Sequence, residues 1–169
     1  HLLQQGHSRV GMVVGELLDG KEGLRPKLLL DGWRLALRQA NARADDALIF
    51  RWESGAEASE LWQRIRATRP PPTALVCHNE QLAARLTHVI CAAGHRVPED
   101  AALVAMGNSW LGDLAAPPLT SVDFNHTAIA KNVMNRLLEQ MNRPQTPPCR
   151  ILVKPALVVR ESSGARRQP

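Results

Sequence analysis

At 169 residues and 44% hydrophobic content, the chain can bury one core and is too apolar for a disordered segment. No apolar run approaches the roughly 20 residues of a membrane span, and no charged segment followed by an apolar one marks an export signal. The net charge of +5 permits nucleic-acid contact, yet the basic residues are dispersed. With no Tyr and only two Phe, a base-stacking platform is not expected.

In chain order, the sequence opens without Met and inside an apparent helix, the pattern of a fragment. Val10–Val14, Ala47–Arg51, Thr73–Cys77 and Leu103–Met106 are short, continuous apolar runs, as strands buried on both faces require. Helices are predicted between them near Lys27–Asn41, Ala56–Ala67 and Gln81–Ala93. The third carries Leu82, Leu86, Val89, Ile90 and Ala93 on one stripe and stops at Gly94, with Pro98 beyond. This alternation predicts an α/β fold, a doubly wound parallel sheet with flanking helices. After Pro117-Pro118 the pattern changes to a short strand at Ser121–Phe124 and a helix at His126–Met141. That helix has Ile129, Val133, Leu137 and Met141 at intervals of four. A polar, Pro-rich loop (Asn142–Pro148) and short strands at Arg150–Val153 and Leu157–Arg160 complete the chain.

Open parallel sheets bind ligands beyond the carboxyl ends of their strands. The residues just past those ends are Gly15-Glu16, Trp52-Glu53, His78-Asn79 and Gly107-Asn108. An indole, two amides and carboxylates along one edge suit a polyhydroxylated ligand, with the indole on an apolar ring face and the amides on hydroxyls. Glu16, Trp52, Asn79 and Asn108 are therefore the candidate binding residues. Asn79 can equally serve as a helix N-cap and Trp52 as packing, so both readings stand for each.

Other motifs carry less. Gly15–Lys21 fits the spacing of a phosphate loop, but Glu22 stands where Ser or Thr would hold magnesium, so nucleotide binding is not expected. His88 and Cys91 lie three apart on one helix without the convergent ligands that zinc needs, and no metal is expected. No nucleophile elbow or paired carboxylates appear, so neither an enzyme nor a cofactor is predicted. Cys77, Cys91 and Cys149 are an odd set at no framework spacing and read as reduced thiols of a cytosolic protein.

Five collinear stretches carry a resemblance: His1–Gly11, Pro72–Glu80, Gly94–Asp100, Pro118–Val122 and Pro155–Ser163. In this order the chain resembles, over nearly its whole length, the effector-binding core of the LacI/GalR family of bacterial transcription regulators. The resemblance implies a periplasmic-binding-protein-like fold of type I. Residues 1–121 would form the second lobe, 122–153 a segment returning to the first lobe, and 154–169 the crossing back. The family's helix-turn-helix, hinge and first half-domain have no counterpart here. The implied function is effector binding and dimerisation in a regulator of transcription. DNA would be reached only through the missing helix-turn-helix, and no membrane is involved. The implied homodimer uses the helix Gln81–Ala93 and the loop Asn108–Ala116. A sugar-binding protein of a transport system, which shares the fold, is the alternative.

Trp52 and Asn79 match positions that contact effector in sugar-responsive members. Two departures bear on the effector. The family's strand ending Gly-Phe-Gly-Asp reads Ala105-Met106-Gly107-Asn108 here, with an amide for the acid. Leu29 stands where an Arg would precede the helix glycine, here Gly32. The resemblance thus implies a neutral sugar or polyol, not a sugar phosphate or sugar acid. The returning helix, lacking its own sheet, is expected to expose its stripe and promote self-association.

Overall fold

Short β-branched and alanine-rich runs of four to six residues pair side by side because each is apolar on both faces. In the computed structural model, residues 1–15, 24–53 and 56–164 are described, with side chains of the second stretch from Lys27 onward. The strands are β1 (Val10–Gly15), β2 (Ile49–Trp52), β3 (Ala74–Cys77), β4 (Ala102–Met106), β5 (Thr120–Asp123) and β6 (Ala156–Val158). They form one sheet in the order β2-β1-β3-β4-β5-β6. β1 to β5 are parallel, and β6 closes one edge antiparallel to β5.

Register assigns the two faces. Met12, Val76 and Val104 align on one face, and Val13, Cys77, Ala105 and Ser121 on the other. The first face is covered by α1 (Leu24–Gln39), which buries Trp33 and Leu37; the Trp33 indole N–H donates to Val10 O at 3.2 Å. On that face Val76, Val104, Met106 and Val122 line an apolar groove of about 410 Å³ beside α1. The second face is covered by α2 (Ala58–Ala67) and α3 (Glu80–Ala92), which bury Leu61, Trp62, Ile65, Leu82, Leu86 and Ile90. Full burial of each such side chain stabilises the fold by about 1.5–3 kcal/mol.

Local chemistry sets the ends of these elements. Asn79 caps α3, its side-chain oxygen accepting from Leu82 N–H at 2.7 Å. Gly94, at φ +78°, ends the same helix as expected. At the N-terminus a single helical turn closes on Gly6 (φ +92°), where His7 N–H donates to Leu2 O. A five-residue helix, α4 (Trp110–Leu114), lies within the stretch expected to be loop, capped by Ser109. The long helix α5 (His126–Asn142) starts at Asn125, whose side chain accepts from Ala128 N–H.

Three expectations need correction. Ala47 belongs to a 3-10 turn (Asp46–Leu48) held by the Asp45 carboxylate, so β2 starts at Ile49. Residues 150–153 are not a strand: Ile151 and Leu152 are exposed, and β6 is the neighbour that β5 pairs with. The last strand is Ala156–Val158, not Leu157–Arg160, because Arg160 turns inward to buried partners and Glu161–Ser163 forms a 3-10 turn. As anticipated, α5 buries none of its residues, and Ile129, Val133, Leu137 and Met141 are exposed.

Candidate ligand-binding site

The strand order reverses direction between β1 and β3, and in open α/β sheets the crevice at such a switch point is where ligands bind. A cavity of about 590 Å³ opens there. Its floor is made by the carboxyl ends of three strands: Val14 and Gly15 of β1, His78 and Asn79 after β3, and Met106 of β4. Leu28 and Leu29 of α1 form one side. Phe124, His126 and Ile129, with Val153 and Pro155, form the opposite side.

His78 is fixed in this floor. Gly15 N–H donates to its Nδ1 at 2.9 Å. A Cβ on Gly15 would stand 2.5 Å from the ring, so only glycine fits beneath it. Asn79 Nδ2 lies 3.0 Å from His78 Nε2, while its oxygen caps α3. Across the cavity the His126 ring meets Phe124 edge-on at 5.9 Å.

The four residues named from sequence are not all brought together. Asn79 lines the cavity. Trp52 is absent from its lining; the indole N–H donates to Ala56 O at 2.8 Å, and the Arg85 guanidinium lies 5.6 Å from the ring centroid. Asn108 is likewise outside the wall. Its oxygen accepts from Arg160 Nη2 at 2.9 Å and its amide donates to Asp123 at 3.2 Å. The Asn125 N–H and then the Asn108 amide hold the Asp123 carboxyl below its usual range. Glu16 lies outside the described residues, as does the phosphate-loop-like stretch after Gly15.

Phe124 and His126 were missed: the sequence pattern makes Phe124 the last residue of its strand, whereas β5 ends at Asp123 and leaves Phe124 just past the strand end. Leu29 lines the cavity where the resemblance places an Arg. Among the described residues of the lining there is no Lys, Arg, Asp or Glu. Such a cavity can hold a neutral molecule by apolar contact and a few hydrogen bonds. Burial raises the Cys77 thiol to about 12, so it is neither nucleophile nor ligand. His88 and Cys91 are exposed on α3, and among the described residues no cluster of three or more His, Cys, Asp or Glu could hold a metal ion. Among the same residues no helix is long and apolar enough to cross a membrane.

Comparison with known proteins agrees with this geometry. Residues 1–163 match the profile of the periplasmic binding protein-like domain. The chain is 30% identical over 168 residues to the HTH-type transcriptional regulator CelR of Thermobifida fusca, covering 95% of this chain and 46% of that protein. It is 30% identical over 166 residues to the HTH-type transcriptional repressor CytR of Escherichia coli K12, covering 98% and 48%. A solved complex of the regulator CelR with cellobiose superposes with a TM-score of 0.80 at 27% identity, over 95% of this chain and 48% of that one. The chain thus spans about half the length of the curated relatives it matches.

Proposed function

The chain belongs to the periplasmic binding protein-like domain family, and on that premise we propose that it is the effector-binding and dimerisation portion of a LacI-type transcriptional regulator. The observation that carries the reading is the cavity at the β1/β3 switch point, with sheet ends as floor and the β5–α5 segment as one wall. A ligand touching both favours one arrangement of these parts. In a dimer, that arrangement sets the spacing of DNA-binding heads carried elsewhere in the protein. The relatives' names as HTH-type regulators favour this role, exercised in the cytoplasm, over that of a transport protein. Its homodimer would form through the outer face of α3 and the Asn108–Ala116 stretch, where Trp110 and Leu114 are each 72% exposed.

The effector of this reading is a neutral sugar or related polyol. Asn79 donates to its oxygens, and Phe124, Met106 and Leu29 meet its apolar face. Glu16, next to Gly15, is a further candidate contact. Trp52 and Asn108 act by fixing the rim, through Arg85 and Arg160 respectively. Calorimetric titration of the chain with cellobiose and with glucose 6-phosphate tests this. The neutral sugar is expected to bind and the phosphate not. Asn79→Ser, which keeps a helix cap, should weaken binding roughly tenfold. Trp52→Ala and Asn108→Ala should lower thermal stability and keep binding. Preference for the phosphate, or unchanged binding in Asn79→Ser, contradicts the reading.

A further inference from the structure

The carboxylate of Glu80, the first residue of α3, lies behind the cavity floor and is buried, at 5% exposure. Three neutral donors hold it. Ser109 N–H and Oγ–H reach Oε2 at 2.7 and 2.6 Å, and Ser121 Oγ–H reaches Oε1 at 2.9 Å. Gly112 makes room for it, and a Cβ on Gly107, at φ +104°, would be in ordinary contact with it. A Cβ on Gly112 would stand 2.4 Å from Oε1, and one on Gly107 would stand 3.6 Å from Oε2.

The residues on either side of this contact lead in opposite directions. Asn79, immediately before Glu80, lines the cavity, as does Met106, immediately before Gly107. Ser109 caps α4, which carries the exposed Trp110 and Leu114. Glu80 therefore bolts the β3–α3 turn to the β4–α4 turn, with the cavity on one side and an exposed apolar face on the other. The buried partner here is the Glu80 carboxylate, for which losing its donors is costly, so the carboxylate and Ser109 move together.

We propose that Glu80 is the positioning residue that couples the ligand cavity to the α4 face. Displacement of Asn79 moves the carboxylate, and with it Ser109 and Trp110. This deepens the function proposed above, and rests on it, by naming the route between ligand and dimer face. Coupling of this kind is shown only by a response at one end to a change at the other.

The test needs no ligand. Trp110→Ala is introduced into the chain, and the backbone amide signals of Asn79 and Met106 are followed by NMR at a concentration where sedimentation shows a monomer. Both signals shift in the wild-type background. They shift equally in Glu80→Gln, whose amide oxygen still accepts from Ser109. Its NH₂ donates to Ser121 Oγ, and the freed Ser121 hydroxyl turns to Leu119 O, 3.2 Å away. In Glu80→Ala the response is lost. Should that variant not fold, Ser109→Ala removes one of the three bonds and gives a weakened response. No response in the wild type, or an undiminished one in Glu80→Ala or Ser109→Ala, overturns the proposal. A chain that binds no sugar would count against the proposed function alone.

Discussion

The guanidinium of Arg160 donates to three segments at once. Nη1 reaches Leu119 O, Nη2 reaches the Asn108 oxygen, and Nε pairs with Asp113 at 2.8 Å. A planar fork can serve three directions; an ammonium on a flexible stem cannot. Arg160→Lys should therefore fail to restore what Arg160→Ala removes. Since Asp113 is itself largely exposed, the ion pair adds little, and the loss is chiefly that of the charge-assisted bond to the buried Leu119 O, about 2–3 kcal/mol. Urea unfolding of the two variants measures it, and a Lys variant as stable as wild type would contradict the account. Asn108 takes its orientation from this arginine, which lies 52 residues away in sequence. Strand-end reasoning could place Trp52, Asn79 and Asn108 at the right height along the sheet. It could not say which of them turns toward the cavity and which toward a neighbour such as Arg85 or Arg160.

At the scale of elements, α3 and α5 carry apolar stripes that look alike in sequence and differ in what they meet. Leu86 on α3 is fully buried, whereas Leu137 on α5 is about half exposed. Leu86→Ala should cost about 2–5 kcal/mol through lost contacts and a residual cavity. Leu137→Ala should stay within about 0.5 kcal/mol while reducing self-association, because its side chain contributes to an exposed patch. Denaturant unfolding together with sedimentation separates the two effects; comparable destabilisation would mean α5 is packed in solution. Periodicity thus located both helices within a residue or two, since it reports which side is apolar. It cannot report whether a partner surface exists. The strand expected at 150–153 failed for the same reason: its residues suit a strand but have no ladder to join.

For the whole molecule, a parallel sheet with flanking helices followed from the alternating strands and helices, and the order β2-β1-β3-β4-β5 and the antiparallel edge at β6 did not. The described helices pack on the sheet, cap the cavity edge or, in α5, present an apolar stripe; none shows an arginine-rich face suited to a DNA groove. This chain by itself is expected to bind DNA only weakly and with strong salt dependence. Nanomolar, sequence-selective retardation in a mobility-shift assay near physiological salt would refute that. Ser162 carries a different kind of consequence. Its hydroxyl donates to Leu103 O and accepts from Thr120 N–H, partners that precede it by 59 and 42 residues. A ribosome therefore makes β4 and β5 well before the group that satisfies their buried ends. Until residues 160–163 emerge, Thr120 N–H and its hydroxyl have only water to bond, and that part of the sheet must stay open. A chain cut before residue 160 would hold all six strands and lack the groups that close them around Thr120, so closure of the sheet waits on a segment outside every strand.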